Sequence, residues 1–291
     1  MMLQDLRTSA MPYGHNENDG FGARVASGDP DVAKLIHDAL PSHSYRHWRL
    51  ADSVRDYVDS ALWHLVDGNL HLELQYFAHP SASESKPSAF RVEIVDAERV
   101  VRRWGRYAYL GAGNGRPSSS SGASEPQRDG KQLIVAALPK TLRHTVDAAL
   151  GLIRAEDADF KVASSFVLGE HGADSGFDFG THRRMSNEIV LRGTRGIGWV
   201  GRGTLSEDLL DPEKAWRAIR FARFAGQLRD VAVAALNEAI GRAGTRIGFE
   251  GAIELTGILT RRELDELEAE LAAGTRPIAE IIFPRPTSAL S

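Results

Sequence analysis

The chain has 291 residues, a formal net charge of −4 and a hydrophobic fraction of 42%, an ordinary composition for a globular protein. It has no cysteine, which excludes disulfides, thiolate metal sites and cysteine nucleophiles. No apolar run approaches the roughly 20 residues of a membrane-spanning helix, and the N-terminus lacks the apolar stretch of a secretory signal. We therefore expect neither secretion nor membrane insertion.

The N-terminal third begins with a segment that shows no sustained hydrophobic period. Residues 1–30 are rich in glycine, asparagine and aspartate, and we interpret them as a flexible N-terminal arm. Asp29 followed by Pro30 is typical of a helix start, and apolar residues then recur at helical spacing up to Leu40. The sequence predicts a short helix there.

Residues 50–110 carry the clearest pattern in the chain. Apolar residues recur at helical spacing over 50–67, and Gly68 follows as a helix stop. Alternation of apolar and polar residues over 70–76 and again over 90–94 is typical of half-buried strands, and 100–110 is also strand-like. We predict a small antiparallel sheet packed on the 50–67 helix, within an α+β domain that covers residues 31–110.

The middle of the chain is divided by a segment rich in glycine, serine and proline. Residues 111–130 have this composition and are predicted to form a flexible linker. The remaining part, 131–291, is predicted to be a mainly helical domain. Its first helix is expected near 142–153, and short apolar runs at 160–168 and 189–191 are interpreted as strands.

Two further helices are predicted near the C-terminus. Asp211, Pro212 and Glu213 are typical of a helix start, and the pattern predicts a long helix that ends near Ile240, before Gly241. The residues from Thr260 to Glu263 match a capping box, which opens a last helix that ends at Gly274. The predicted fold class is α+β: a small antiparallel sheet packed on helices, and a largely helical C-terminal half with one long helix.

The long helix is apolar over a wide arc of its circumference. Such a helix is usually buried by more than one neighbour, so we predict a homo-oligomer. Arginines also recur at positions 217, 220 and 223, and we favour a solvated face for this stripe. The predicted oligomer contacts are Phe221 and Phe224, with Arg217 and Arg220 at the rim of the interface.

The stretch from Gly196 to Gly201 matches Gly-x-Gly-x-x-Gly. A nucleotide site would require this turn to follow a strand and to open a helix, so that backbone N–H groups meet phosphate. The predicted strand at 189–191 supplies the first half of that context, whereas Gly203 and Pro212 limit any helix that follows. We favour a tight turn that packs around Trp199, and keep a nucleotide site as the alternative.

One loop collects carboxylates and imidazoles that are able to ligate a divalent metal. Their spacing matches no helical or strand ligand pattern, so we favour a solvated polar loop and predict neither a metal site nor a cofactor. A metal site at His171 and His182 stays open as an alternative for an enzyme. The residues of the loop are Glu170, His171, Asp174, Asp178 and His182.

A cluster of arginines follows this loop, with Glu188 as the only acid among them. Such a cluster can contact the phosphates of double-stranded DNA without reading its sequence. It can equally pair with the acidic loop before it or contact a neighbouring subunit, and the sequence does not decide between these. The candidates are Arg183, Arg184, Arg192, Arg195 and Arg202.

The helix-to-strand passage resembles a known family. Residues 66–74, Val-Asp-Gly-Asn-Leu-His-Leu-Glu-Leu, are similar to the passage from helix to strand in the portal proteins of tailed phages. Residues 90–100 resemble the strand and turn that follow in that family, and 107–110 fit the next strand. The resemblance covers about a fifth of the chain, and the order of the C-terminal helices is similar as well.

The resemblance implies a virion structural protein without catalytic activity. Portal proteins, which are head–tail connectors, form rings at one capsid vertex and admit double-stranded DNA during packaging. They also dock terminase and adaptor proteins. It therefore implies a homo-oligomeric ring of a phage or prophage, located in the virion or in the bacterial cytoplasm. The local arginine cluster would then lie on the DNA channel or against a neighbouring subunit.

Overall fold

A computed structural model describes residues 2–12, 21–40, 49–78, 87–103, 106–109, 132–168, 179–201 and 209–278. At residues 99, 101–103, 106–109, 156–168, 179–183 and 186 the description covers the backbone only. The α-helices are α1 (Met2–Ala10), α2 (Pro30–Ala39), α3 (Leu50–Asp67), α4 (Lys140–Leu168), α5 (Phe179–Gly193), α6 (Asp211–Ile247) and α7 (Arg261–Ala273). The strands are β1 (Gly22–Val25), β2 (Leu70–Ala78), β3 (Pro87–Val95), β4 (Val100–Arg103), β5 (Arg106–Tyr109), β6 (Leu133–Ala136) and β7 (Ile253–Thr256).

These elements belong to two compact units that are discontinuous in sequence. Unit 1 comprises the described parts of residues 1–9, 139–226 and 259–287, and unit 2 those of 10–138 and 227–258. The predicted division at residues 111–130 differs from this, because α6 contributes residues to both units. The predicted linker itself lies outside the described residues.

The sheet of unit 2 is built around β2. This strand pairs antiparallel with β3 on one side and with β6 on the other, so that Leu72 lies opposite both Ile94 and Ile134. Leu72 is fully buried and Ile134 almost so, as the period-2 alternation of a half-buried strand predicts. The predicted antiparallel sheet and the α+β class are confirmed.

The extent of that sheet differs from the prediction in two ways. Strands β4 and β5 were expected to extend it, yet among the described residues they pair only with each other, as a separate hairpin. The third strand is instead β6, which the sequence placed in the mainly helical domain. Its apolar run of four residues is too short for periodicity to reveal its partner.

The predicted N-terminal arm contains regular structure. Helix α1 buries Leu6 and Ala10 completely, and Arg229 of α6 donates from Nη1 to the Ala10 carbonyl at 3.2 Å. Strand β1 pairs antiparallel with β7, with Val25 opposite Ile253. The interpretation of residues 1–30 as a flexible arm is therefore wrong for these stretches. A strand of four residues shows little alternation, and its partner lies more than 200 residues away.

Helix α4 is longer than the sequence indicated. The stretch 160–168, interpreted as a strand, is the C-terminal part of this 29-residue helix. No glycine or proline separates Ile153 from Phe160, so nothing in the sequence ends the helix there. The short apolar run was therefore assigned to the wrong period.

Helix α6 also passes its predicted end and continues through Gly241 and Gly244 to Ile247. A Cβ at Gly244 would lie 2.4 Å from the Phe249 carbonyl oxygen, so this glycine admits the returning chain. The helix ends one residue before Gly248, whose φ is +102°, a left-handed conformation that favours glycine.

Two predicted helix starts are confirmed in detail. Asp29 caps α2 by accepting a hydrogen bond from the Asp31 backbone N–H, with Pro30 at the first helical position. Thr260 and Glu263 form a complete capping box at α7, and Gly274 ends that helix in the left-handed conformation. Side chains close in sequence make these contacts, which is why local sequence predicts them.

A buried histidine makes unit 2 sensitive to acid. His71 on β2 is 6% exposed, and burial lowers the pKa of its imidazole below 6.5, with a further lowering by His64 against a backbone hydrogen bond at Asn69. As the pH falls, the unfolded chain therefore binds a proton at His71 at a higher pH than the folded chain does. The stability contribution of His71 is present above pH 6.5 and is lost as the pH falls through the folded pKa.

We expect replacement of His71 by phenylalanine to reduce the loss of stability between about pH 7.5 and about pH 5. Urea unfolding at the two pH values measures this loss in both proteins. His144→Phe is the control, because that histidine is exposed on α4. An identical pH dependence in wild type and His71→Phe would contradict the assignment.

Candidate anion-binding site on unit 1

The glycine-rich turn of unit 1 follows a helix. Ile189 to Leu191, interpreted as a strand, form part of the last turns of α5, and the Thr194 backbone N–H donates to the Val190 carbonyl at 2.9 Å. Glu188 and Arg192 form a salt bridge four residues apart at 2.8 Å, a spacing that supports helix. The element directly before Gly196 is therefore a helix, where a dinucleotide fingerprint requires a strand.

The turn packs tightly around Trp199, as the favoured interpretation predicted. Trp199 is 6% exposed, and its Nε1–H donates to Asp5 Oδ2 at 3.1 Å. Thr194 Oγ1 donates to the Trp199 carbonyl at 2.7 Å. Gly198 has a φ of +79°, and a Cβ there would lie 2.3 Å from the carbonyl oxygen of Arg217 on α6. The turn thus lies directly against the α6 backbone.

The arginine stripe of α6 is not the solvated face that we favoured. Arg217 is 3% exposed. It donates from Nη1 to the Leu191 carbonyl at 2.9 Å and from Nε and Nη2 to Glu213 Oε1 at 3.2 and 3.1 Å. Arg217 therefore supplies a donor to a carbonyl near the C-terminal end of α5.

Arg223 reaches from α6 to α7. Its Nη2 lies 2.9 Å from Asp265 Oδ1 and 2.7 Å from Glu268 Oε2. The hydrogen bonds and charges of these carboxylates raise the pKa of Arg223 against the opposing effect of burial. A small hydrophobic core lies between the same two helices, formed by Ala215, Ile219, Leu264 and Leu267.

Two other arginines meet at Trp216. The guanidinium carbon of Arg220 lies 3.3 Å from the Trp216 ring centroid, and that of Arg195 lies 5.8 Å from it. Arg220 Nη1 also approaches the Arg195 carbonyl oxygen at 3.5 Å. Contacts of this kind are cation–π interactions. We call these three residues the Arg–Trp cluster.

The charge around Arg220 is predominantly positive. Burial lowers the pKa of its guanidinium, the charge of Glu268 opposes this, and three neighbouring arginines lower the pKa further. Those neighbours are Arg195, Arg223 and Arg217. The cluster therefore presents positive charge in excess of what its acidic neighbours offset, and its chemistry suits a bound anion.

Three of the five arginines of the predicted DNA-contact or subunit-contact set have described side chains. Arg195 belongs to the Arg–Trp cluster, and Arg192 pairs with Glu188 at 2.8 Å. Arg184 is exposed on α5. Arg183 is described by its backbone only, and Arg202 lies outside the described residues. Pairing with the acidic loop at 170–178 falls outside them as well.

Two of the four predicted oligomer-contact residues are buried within one chain. Phe224 is 5% exposed and Arg217 3% exposed. Phe221 is only partly exposed, and its ring centroid lies 6.4 Å from that of Phe224. Arg220 makes a cation–π contact with Trp216 and is partly exposed.

The loop that would form the alternative metal site lies almost entirely outside the described residues. His171 lies outside them, and His182 is described by its backbone only, in α5. Within the part of the chain whose side chains are described, no group of three or more carboxylates and histidines is arranged to hold a metal ion.

None of the described helices is both long and apolar enough to cross a membrane.

Trp216 is the member of the site that sequence reasoning missed. It stands four residues before Arg220 on one helix, and residues with this spacing are neighbours on a helix surface. That spacing was a usable signal for an aromatic–arginine pair. Nothing local connects either residue to Arg195, which the turn places beside them.

Comparison with known proteins adds no relative. No protein-family model, no curated protein and no solved structure matches this chain.

Proposed function

We propose that the chain is a portal-like structural protein of a phage or prophage, whose copies form a closed ring around DNA at a capsid vertex. The order of elements over residues 50–109 supports this most directly. Helix α3 ends at Gly68, β2 follows from Leu70, and β3 returns antiparallel to it. The β4–β5 hairpin comes next. This is the order of helix and strands in the portal passage that these residues resemble.

The C-terminal half adds a second element of support. Helix α6 has 37 residues, which corresponds to a length of about 55 Å. Strand β7 and the capped helix α7 follow it, as in the helix order that suggested the resemblance. A helix of this length suits the stem of a channel.

The partners that the proposal implies are other copies of the chain, double-stranded DNA, and the capsid, terminase and adaptor proteins. The protein would then act in the virion or, before assembly, in the bacterial cytoplasm. Binding to DNA would be independent of sequence and would weaken with salt, because arginines that contact phosphates release counterions. The exposed positive charge of Arg195 supports such contacts.

Contact between subunits would use a surface other than Phe221 and Phe224. Met185 and Ile189, one turn apart on α5, are 59% and 43% exposed, and Leu152 of α4, which packs against Gly193 of α5, is 37% exposed. Arg184 is exposed next to Met185. A copy that packs this apolar patch against a different surface of its neighbour would make a head-to-tail contact, the type that closes a ring.

The assembly is tested by light scattering after gel filtration together with negative-stain imaging. We expect closed rings from the wild-type chain, alone or produced with its capsid partners. A variant with Met185→Asp and Ile189→Asp should stay monomeric and keep its melting temperature, because both positions are exposed. Leu210→Asp is the matched control, since Leu210 is 76% exposed but lies outside α4 and α5. A wild-type chain that forms no closed ring under either condition would end the proposal.

A further inference from the structure

We infer that Arg195 and Arg220, held around the Trp216 indole, form a binding site for a phosphate group. The inference deepens the proposed function and rests on it only for the source of the phosphate, since a nucleic-acid backbone and a free phosphate present the same chemistry. Nothing in the ring proposal requires Trp216 or assigns Arg220 to a ligand.

The neighbouring arginines differ in whether a carboxylate forms a salt bridge with them. Arg192, Arg217 and Arg223 each have a carboxylate within salt-bridge distance. Among the described residues, no carboxylate forms a salt bridge with Arg195 or Arg220. Arg220 gives one donor, Nη1, to the Arg195 carbonyl at 3.5 Å, and neither guanidinium has a carboxylate partner among the described residues, whereas the other three arginines do.

The Trp216 ring contacts both arginine side chains, at different distances. The Arg220 guanidinium carbon lies 3.3 Å from the centre of the Trp216 ring, and a side chain restrained by such a contact loses less entropy on binding. Arg195 lies farther from the ring, at 5.8 Å, and is exposed. An anion held by Arg220 would draw Arg195 towards it and would offset the repulsion between the two cations.

The two glycines of the turn differ in the space around them. Among the described residues, a Cβ at Gly196 would meet only the Thr145 methyl carbon, at 3.7 Å, so these residues leave space at the glycine that follows Arg195. Gly198, by contrast, is closed against α6. The fork of a guanidinium matches the oxygens of a phosphate group, which makes phosphate the preferred ligand class.

The experiment uses the full-length chain and has a nucleic-acid arm and a phosphate arm. In the first, fluorescence anisotropy follows binding of a labelled DNA duplex of arbitrary sequence at several salt concentrations. We expect Arg195→Gln and Arg220→Gln each to weaken binding and to reduce the slope of log affinity against log salt by about 1. Arg192→Gln, whose charge is paired with Glu188, should change the slope much less.

In the second arm, inorganic phosphate is added and the melting temperature is recorded, with chloride at equal ionic strength as the reference. Phosphate should stabilise the wild type and the Arg192→Gln variant, but not the double variant Arg195→Gln, Arg220→Gln, because ligand that binds the native state raises its stability. Arg195→Gln alters an exposed side chain and should fold normally, so the test stands even if Arg220→Gln unfolds.

Each outcome decides the inference. A loss in the DNA arm supports the site with a nucleic-acid backbone as its source, and a loss in the phosphate arm alone supports it with a free phosphate. If the variants match wild type in both arms, or if wild type binds neither ligand, the inference is overturned. Ring formation is measured separately by light scattering, so a monomer that still binds phosphate would contradict the portal proposal alone.

Discussion

Replacement of Gly198 by alanine is expected to destabilise the protein by about 3 kcal/mol or more. The φ of +79° is strained for any residue with a Cβ, and the new methyl carbon would lie 2.3 Å from the Arg217 carbonyl oxygen and 2.7 Å from the Phe221 backbone nitrogen. Backbone atoms of a helix cannot move aside as a flexible side chain can. Denaturant unfolding followed by tryptophan fluorescence measures the effect.

Gly196→Ala is the matched control, two residues away in the same turn. Gly196 has no positive φ, and its added Cβ would make only an ordinary contact at 3.7 Å with Thr145. We expect its stability to stay within about 0.5 kcal/mol of wild type. If the two variants unfolded at the same denaturant concentration, the packing of the turn against α6 would be refuted.

The second large effect is expected at Arg217, where alanine should cost about 3 kcal/mol. The substitution leaves the Leu191 carbonyl buried without the donor that it has at 2.9 Å, removes the bonds to Glu213, and opens a cavity where a 3% exposed side chain was packed. Lysine should not restore stability, because one ammonium cannot reproduce the fork that reaches both partners.

Arg192→Ala is the control for this measurement. Arg192 also has one glutamate partner four residues away, but its side chain is 78% exposed, and surface ion pairs contribute little. We expect a change of at most about 0.5 kcal/mol. Thermal unfolding of both variants compares the two sites, and an Arg217→Ala protein as stable as Arg192→Ala would show that burial of Arg217 has no energetic role.

Sequence alone predicted the parts of the fold whose contacts are local. The cap at Asp29, the capping box from Thr260 to Glu263 and the glycine at 274 join residues a few positions apart. The alternation over 70–76 likewise predicted which face of β2 is buried. In each case the physical cause is confined to a few neighbouring residues, so it can be read without knowing the fold.

The errors fall where a short pattern has two physical explanations. Apolar runs at 160–168 and 189–191 were predicted to be strands. Both lie within helices, because no helix-ending residue comes directly before them. The long helix was predicted to end before Gly241, but it continues through Gly244, where the absent side chain allows the close approach of Phe249. A glycine permits both a turn and a tight contact, and only the folded chain distinguishes them.

Long-range contacts decided the rest, including the candidate site. The composition of the arginine cluster is visible in the sequence, and the spacing of Trp216 and Arg220 indicates that they can pair on one helix face. The burial of Arg217 depends on the Leu191 carbonyl, which lies 26 residues earlier in the chain. The position of Arg195 depends on a turn held by Gly198 against α6. Such contacts follow from how separate helices pack, and no local pattern of residues specifies them.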